Sequence, residues 1–174
     1  MRAIILTMTA LALASTHAFA QTPSAEARLK AMNITLPEAA KPIANYVEWV
    51  REGHLLFLVG HTPDAQWNGK GKVGKDVTVE QGRQAAREVG LRLLATMREA
   101  LGSLDKVKRV VRTFGMVNAG PGFGEEPAVI NGCSDLMTEV FGDVAGKGVR
   151  AAIGVAELPN AVPVEIEMIV EVKD

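Results

Sequence analysis

Two long stretches of the chain carry the three-and-four spacing of an amphipathic helix, and both are embedded among strand-like runs. The first opens at Thr78 with Gln81 as a capping box, repeats apolar positions at Ala86, Val89, Gly90, Leu93, Leu94, Met97 and Leu101, and stops at Gly102. The second begins near Glu126-Pro127, where proline suits a first turn, and its stripe is Val129, Ile130, Cys133, Leu136, Met137, Val140 and Phe141. Around them lie runs of β character: Tyr46 to Val50, His54 to Val59, a short one at Lys72-Val73, Val107 to Val117, Arg150 to Ala156 and Val164 to Val172. The order β-β-β-α-β-α-β-β offers two helices for a five- or six-stranded sheet. Two helices cannot cover both faces, so the pattern predicts an α+β layer with both helices on one face and a second face in need of a partner.

Local details sharpen this expectation. Arg51-Glu52-Gly53 reads as the turn of a hairpin, and the run Leu55 to Val59, apolar on both sides, predicts a central strand covered on both faces. Arg83, Arg87, Arg92 and Arg98 read as the solvated side of the first helix. Ser134, inside the second helix, reads as solvent-facing rather than as part of a nucleophile elbow. The segment Gly120 to Gly124 lacks the Lys-Ser/Thr of a phosphate loop and reads as a turn.

The 174 residues are 48% hydrophobic, with 19 Lys+Arg against 20 Asp+Glu, which excludes a disordered chain and a strongly basic nucleic-acid binder. With one tyrosine, the chain also lacks the aromatic platforms that single strands stack on. The first 20 residues combine Arg2, an apolar run from Ala3 to Ala14 and Ala18-Phe19-Ala20, the layout of a secretory signal peptide. Its removal predicts a periplasmic or secreted protein, with an N-terminal extension at 21–35, one domain at 36–174 and no membrane association after cleavage. Cys133 is the only cysteine, so no internal disulfide is available and a core position is expected. His54 and His61 fall in no metal-ligand spacing, so no metal is expected.

The last two runs can be read as a hairpin. With Ala151, Ile153 and Val155 facing the helices together with Val164, Ile166 and Met168, the residues Arg150, Ala152 and Gly154 share the other face with Glu165 and Glu167. Arg150 then lies on the order of 13 Å along the ladder from Glu165. A small ligand between them, a second chain completing the site, or a merely solvated charged face all fit that spacing.

Arg150-Ala-Ala-Ile-Gly-Val-Ala-Glu-Leu-Pro159 followed by Val164-Glu-Ile-Glu167 resembles the C-terminal signature of the RidA/YjgF family, the imine deaminases also labelled L-PSP endoribonucleases. Pro42-Ile-Ala-Asn-Tyr46, Gly60-His-Thr-Pro63, Val117-Asn-Ala-Gly-Pro-Gly-Phe123 and Asn131-Gly-Cys-Ser-Asp-Leu136 extend the match, the last toward a chorismate-mutase-like subgroup. The resemblance implies a homotrimer with a chorismate-mutase-like fold and clefts between subunits, and it implies no cofactor. Arg150 would grip a substrate carboxylate, Glu165 would orient water, and Tyr46 would enter from the neighbouring subunit. Asn131, Gly60 and Ala152 would line the cleft, Ala152 standing where many members carry cysteine. The implied reaction hydrolyses a 2-imino acid or its enamine to a 2-keto acid and ammonia. The alternatives are a trimer that only binds small carboxylates or a protein partner, and, with least support, an endoribonuclease.

Overall fold

The computed structural model describes residues 22–174, and the signal peptide expected at 1–20 lies outside them. The local signals of the first long helix are met: α2 spans Val79–Leu101, Thr78 and Gln81 form the reciprocal capping box, and Gly102 ends it with φ 78°, which glycine adopts without steric cost. The whole apolar stripe from Ala86 to Leu101 is buried. The second long helix, α3, spans Glu126–Ala145 with Pro127 in its first turn and no side-chain cap. A shorter helix, α1 (Ala25–Ala31), occupies the predicted extension. It is docked rather than trailing: Leu29 is fully buried, and Glu26 accepts two bonds from Arg98, at 2.6 and 3.0 Å.

Five strands form one mixed sheet: β1 (Trp49–Glu52), β2 (Leu55–His61), β3 (Val107–Asn118), β4 (Val149–Val155) and β5 (Val164–Val172), in the order β1-β2-β5-β3-β4. The first hairpin turns two residues later than expected, at Gly53-His54, because Glu52 already pairs with Leu55. The predicted strand at Lys72-Val73 is absent as a strand. Val73 makes only isolated bridges to Val77 and Ala119, yet it is fully buried.

The last two strands do not form a hairpin. β4 pairs only with β3, in parallel through the α3 crossover, and β5 inserts antiparallel between β2 and β3. The connection from β4 to β5 passes over the end of β3, where the Asn118 N–H donates to the Pro163 carbonyl at 2.9 Å and the Asn118 amide to that of Val162 at 3.3 Å.

α2 and α3 lie on one face of the sheet, over Leu56, Leu58, Val110, Val117, Ile166, Met168 and Val170, all buried. The two helices are in close backbone contact at Gly132, where an added Cβ would overlap the Arg83 carbonyl oxygen. The opposite face is open in the single chain. Phe57, Val50 and Ile153 are exposed on it, so β2 is covered on one side only, contrary to the doubly covered expectation. The arginines of α2 are not merely solvated: Arg83 pairs with Asp135 at 2.9 Å and Arg87 forks onto Glu139 at 2.7 and 3.2 Å, lacing α2 to α3. At this exposure each pair contributes at most ~1 kcal/mol.

Cys133 sits fully buried between α2 and α3, and desolvation pushes its thiol up to about 12. A neutral, inaccessible thiol does not react. In native buffer an excess of a thiol-reactive disulfide reagent is expected to leave Cys133 unmodified over an hour, with stoichiometric reaction on adding denaturant. Fast native labelling would contradict this packing.

Candidate active site

Apart from Tyr46, the residues singled out in the sequence fall into two groups on opposite faces of the sheet. Register decides the sorting: Arg150 is level with Thr113, Ala152 with Gly115, and Gly154 with Val117, while those β3 positions are level with Met168, Ile166 and Val164 of β5. Arg150, Ala152 and Gly154 therefore lie on the helix face, and Glu165 and Glu167 on the open face. The face expected for Arg150, Ala152 and Gly154 is inverted, while that expected for Glu165 and Glu167 is the one observed. β4 is an edge strand with half-exposed residues on both sides, so its greasier set does not mark the core.

The first group is built on β4 and α3. Arg150 Nη1 donates to Asn131 Oδ1 at 2.7 Å and to Ser134 Oγ at 3.2 Å. Asn131 and Ser134 are neighbours three residues apart on one side of α3, so Ser134 faces the arginine rather than bulk solvent. Its pairing with Asn131 at helical spacing was the signal in the sequence that could have found it. Ala152 packs against the core beside this contact. Below Arg150 a pocket of about 190 Å³ is lined by Thr113, Ser134, Thr138, Lys147 and the arginine itself.

The second group is built on β2 and β5. An irregularity in the β2–β5 register between Leu58 and His61 brings Gly60 against Glu165, so closely that a Cβ at position 60 would overlap the carboxylate. The half-buried Glu165 carboxyl has its pKa raised, first by desolvation and then by the like charge of Glu167. A carboxyl tuned upward is a stronger proton acceptor once ionised.

Tyr46 belongs with neither group. It is exposed in the segment leading into β1, with its hydroxyl 3.5 Å from the Ile43 N–H. β1 and β4 are the two edges of the sheet, four strand spacings or roughly 19 Å apart. Arg150 and Glu165 are separated by β3, roughly 10 Å in strand spacing alone, and by the thickness of the sheet. Within one chain Arg150 and Asn131 meet, Gly60 and Glu165 meet, and the two pairs do not.

Comparison with known proteins agrees with this fold. Residues 26–164 match the family model described as "YjgF/chorismate mutase-like, putative endoribonuclease", a match that begins inside α1. Protein TCP17 of Trypanosoma cruzi is 42% identical over 150 residues, 85% of this chain and 94% of that protein. The crystal structure of the protein Atu1372 from Agrobacterium tumefaciens is 39% identical, with a TM-score of 0.77 over 86% of this chain and 92% of that one. A Shewanella oneidensis structure titled a putative endoribonuclease is 30% identical, with a TM-score of 0.80 over 86% of this chain and 99% of that one. With the family model spanning most of its length, and relatives of this similarity covering more than four-fifths of it, the chain belongs to the RidA/YjgF (L-PSP, chorismate-mutase-like) family.

Proposed function

We propose that the chain is a deaminase that hydrolyses 2-imino acids and their enamine tautomers to 2-keto acids and ammonia, in clefts between the copies of a homotrimer. One copy contributes Arg150, Asn131 and Ala152, and the next contributes Glu165, Gly60 and Tyr46. The observation that carries the reading is the Arg150 guanidinium: it is exposed at a sheet edge and anchored through Nη1 by Asn131 and Ser134. Among the described residues no group takes up its Nε or Nη2, a fork matched to a carboxylate. The uncovered apolar side chains of the open face supply a reason for copies to associate.

In the proposed reaction the carboxylate of the imino acid rests on Arg150. Glu165 accepts a proton from water as the water oxygen bonds to the imine carbon, and returns it to the nitrogen. In the resulting carbinolamine Glu165 moves the hydroxyl proton to the nitrogen as the C–N bond breaks and the C=O bond forms, and ammonia and the 2-keto acid leave. Positioning and fixed charge carry the rate. The test is the decay of iminopyruvate-type substrates against semicarbazide trapping. Acceleration is expected, falling ~100-fold in Arg150→Ala, the scale of losing a two-pronged charged contact. No acceleration at saturating protein would overturn the proposal, and thermal stabilisation by small carboxylates without turnover would replace it with a binding role.

Glu165→Gln carries a paired expectation. Because the folded carboxyl titrates above its unfolded value, stability falls as pH rises from the ordinary glutamate range through the raised folded pKa, and the ionised group is a net cost at neutral pH. The amide removes that cost. Thermal melts should show Glu165→Gln above the wild type at pH 7.5, and level with it or below at pH 4, while hydrolysis is lost. A lower melt at pH 7.5 would mean the charge stabilises the fold.

The proposal includes export, with cleavage after Ala20. The mature chain isolated from a periplasmic or secreted fraction should begin at Gln21 by intact mass and terminal sequencing; an intact Met1 in that fraction would refute the cleavage.

A further inference from the structure

At the sheet edge away from Arg150, the segment leading into β1 and the C-terminal end of α2 enclose a second cavity, of about 450 Å³, lined by Ala40, Lys41, Pro42, Val47, Glu48, Trp49 and Glu99. Its walls are largely apolar, and two of them stand uncovered: Val47 is 58% exposed and Trp49 38%. Glu48 is different, at 8% exposed. Among the described residues nothing donates a hydrogen bond to its carboxylate, whose oxygens keep a little contact with solvent and so are open to a ligand donor.

Its nearest cationic candidate is His61, whose Nε2 is 3.8 Å from Glu48 Oε2. His61 Nδ1 lies 3.0 Å from the Val59 carbonyl, which can only accept, so the neutral ring carries its proton there. Nε2 is then an acceptor, and Thr96 Oγ1 donates to it at 2.8 Å. Desolvation holds His61 below its ordinary pKa and keeps it in that neutral form. Arg92 acts on Glu48 through space, but its guanidinium is drawn to Asp64 at 3.4 Å. Lys41 turns outward to Glu38, at 3.8 Å. Glu99 adds a second negative charge beside Glu48. The cavity thus combines an acid lacking a donor, a second acid, and an indole with aliphatic neighbours.

We propose that this cavity binds an organic primary ammonium with a compact aromatic body, the ammonium donating to Glu48 beside Glu99 and the body packing on Pro42, Val47 and Trp49. Charge complementarity selects the cation, and the indole adds the attraction of its π face. Within one chain the cavity lies at the opposite sheet edge from Arg150, and the proposal does not depend on the deaminase reading.

The probe is benzylammonium chloride, with benzyl alcohol as its neutral counterpart, titrated calorimetrically into the purified protein in its solution assembly at pH 7.5. One benzylammonium per chain is expected, with benzyl alcohol and Glu48→Gln each weaker by about tenfold or more, the scale of one hydrogen bond to a charged group. Trp49→Leu should weaken binding and abolish the fluorescence change that accompanies it. Binding should disappear as pH falls through the Glu48 pKa, which burial raises and Glu99 supports against the opposing charge of Arg92. His61, once protonated at lower pH, disfavours the ligand further. No binding by the wild type, equal binding of benzyl alcohol, or undiminished binding by Glu48→Gln would overturn the proposal. Should Glu48→Gln fail to fold, the cation-to-alcohol ratio and the pH profile decide it.

Discussion

Mixing Arg150→Ala with Glu165→Gln, each inactive alone, is expected to restore imine hydrolysis. The two groups sit on opposite faces of one sheet, so in the proposed trimer a complete cleft takes its arginine from one copy and its glutamate from the next. Refolding the two variants together at equal concentration randomises the neighbours. Each cleft then has one chance in two of an intact Arg150 half and, independently, one in two of an intact Glu165 half. Head-to-tail assembly therefore regenerates about one quarter of the wild-type clefts. Against parents reduced ~100-fold each, that is a rise of more than an order of magnitude. A site contained within one chain would show no rise, because every copy carries one lesion. The experiment thus reads out assembly and catalysis together, and loss of acceleration in the wild type has already been separated from it by the trapping assay.

The second large effect is structural. Gly132→Ala should lower stability by about 1–3 kcal/mol, a drop of several degrees in Tm for a domain of this size. The added methyl would overlap the Arg83 carbonyl and lie 3.0 Å from both the Arg83 carbonyl carbon and the Arg87 nitrogen, all backbone atoms that cannot rotate away. The two helices must separate or shift, and the ion pairs from Arg83 to Asp135 and from Arg87 to Glu139 go with them. Gly124→Ala is the control, since nothing lies within 4 Å of its Cβ. Thermal unfolding followed by circular dichroism distinguishes them, and an unchanged melt for Gly132→Ala would mean that the helices are not held at this distance. Asn131 neighbours Gly132, so this variant should also loosen the grip on Arg150.

The boundaries of α2 were legible because everything that sets them is local: a hydroxyl, an amide three residues on, and a glycine at the far end. The buried side of β5 was legible for a similar reason, since its alternation is complete and the strand is flanked on both edges. Pairing was not. The alternation in Arg150 to Val155 carries no information about which strand lies alongside, and a connection of this length serves a hairpin or a passage over a third strand equally well. The misplaced hairpin then inverted the face of Arg150, because edge-strand burial does not follow hydrophobicity. The resemblance supplied the candidate site residues, but their division between two surfaces came only from the register of β3 against both neighbours. Glu48 gave no sign in the sequence: its isolation depends on the tautomer of His61, which depends on a carbonyl two residues away.

The position of β5 has a consequence for how the molecule is made. The strand that joins β2 to β3 is the last of the five to leave the ribosome, so until then the hairpin of β1 and β2 and the β3-α3-β4 unit have no shared sheet. Neither piece can close its core alone, since Ile166, Met168 and Val170 supply the middle of it. Folding must wait for the whole domain, and contacts of such long sequence separation form slowly. A nascent chain held open in this way remains threadable, as the proposed export would require.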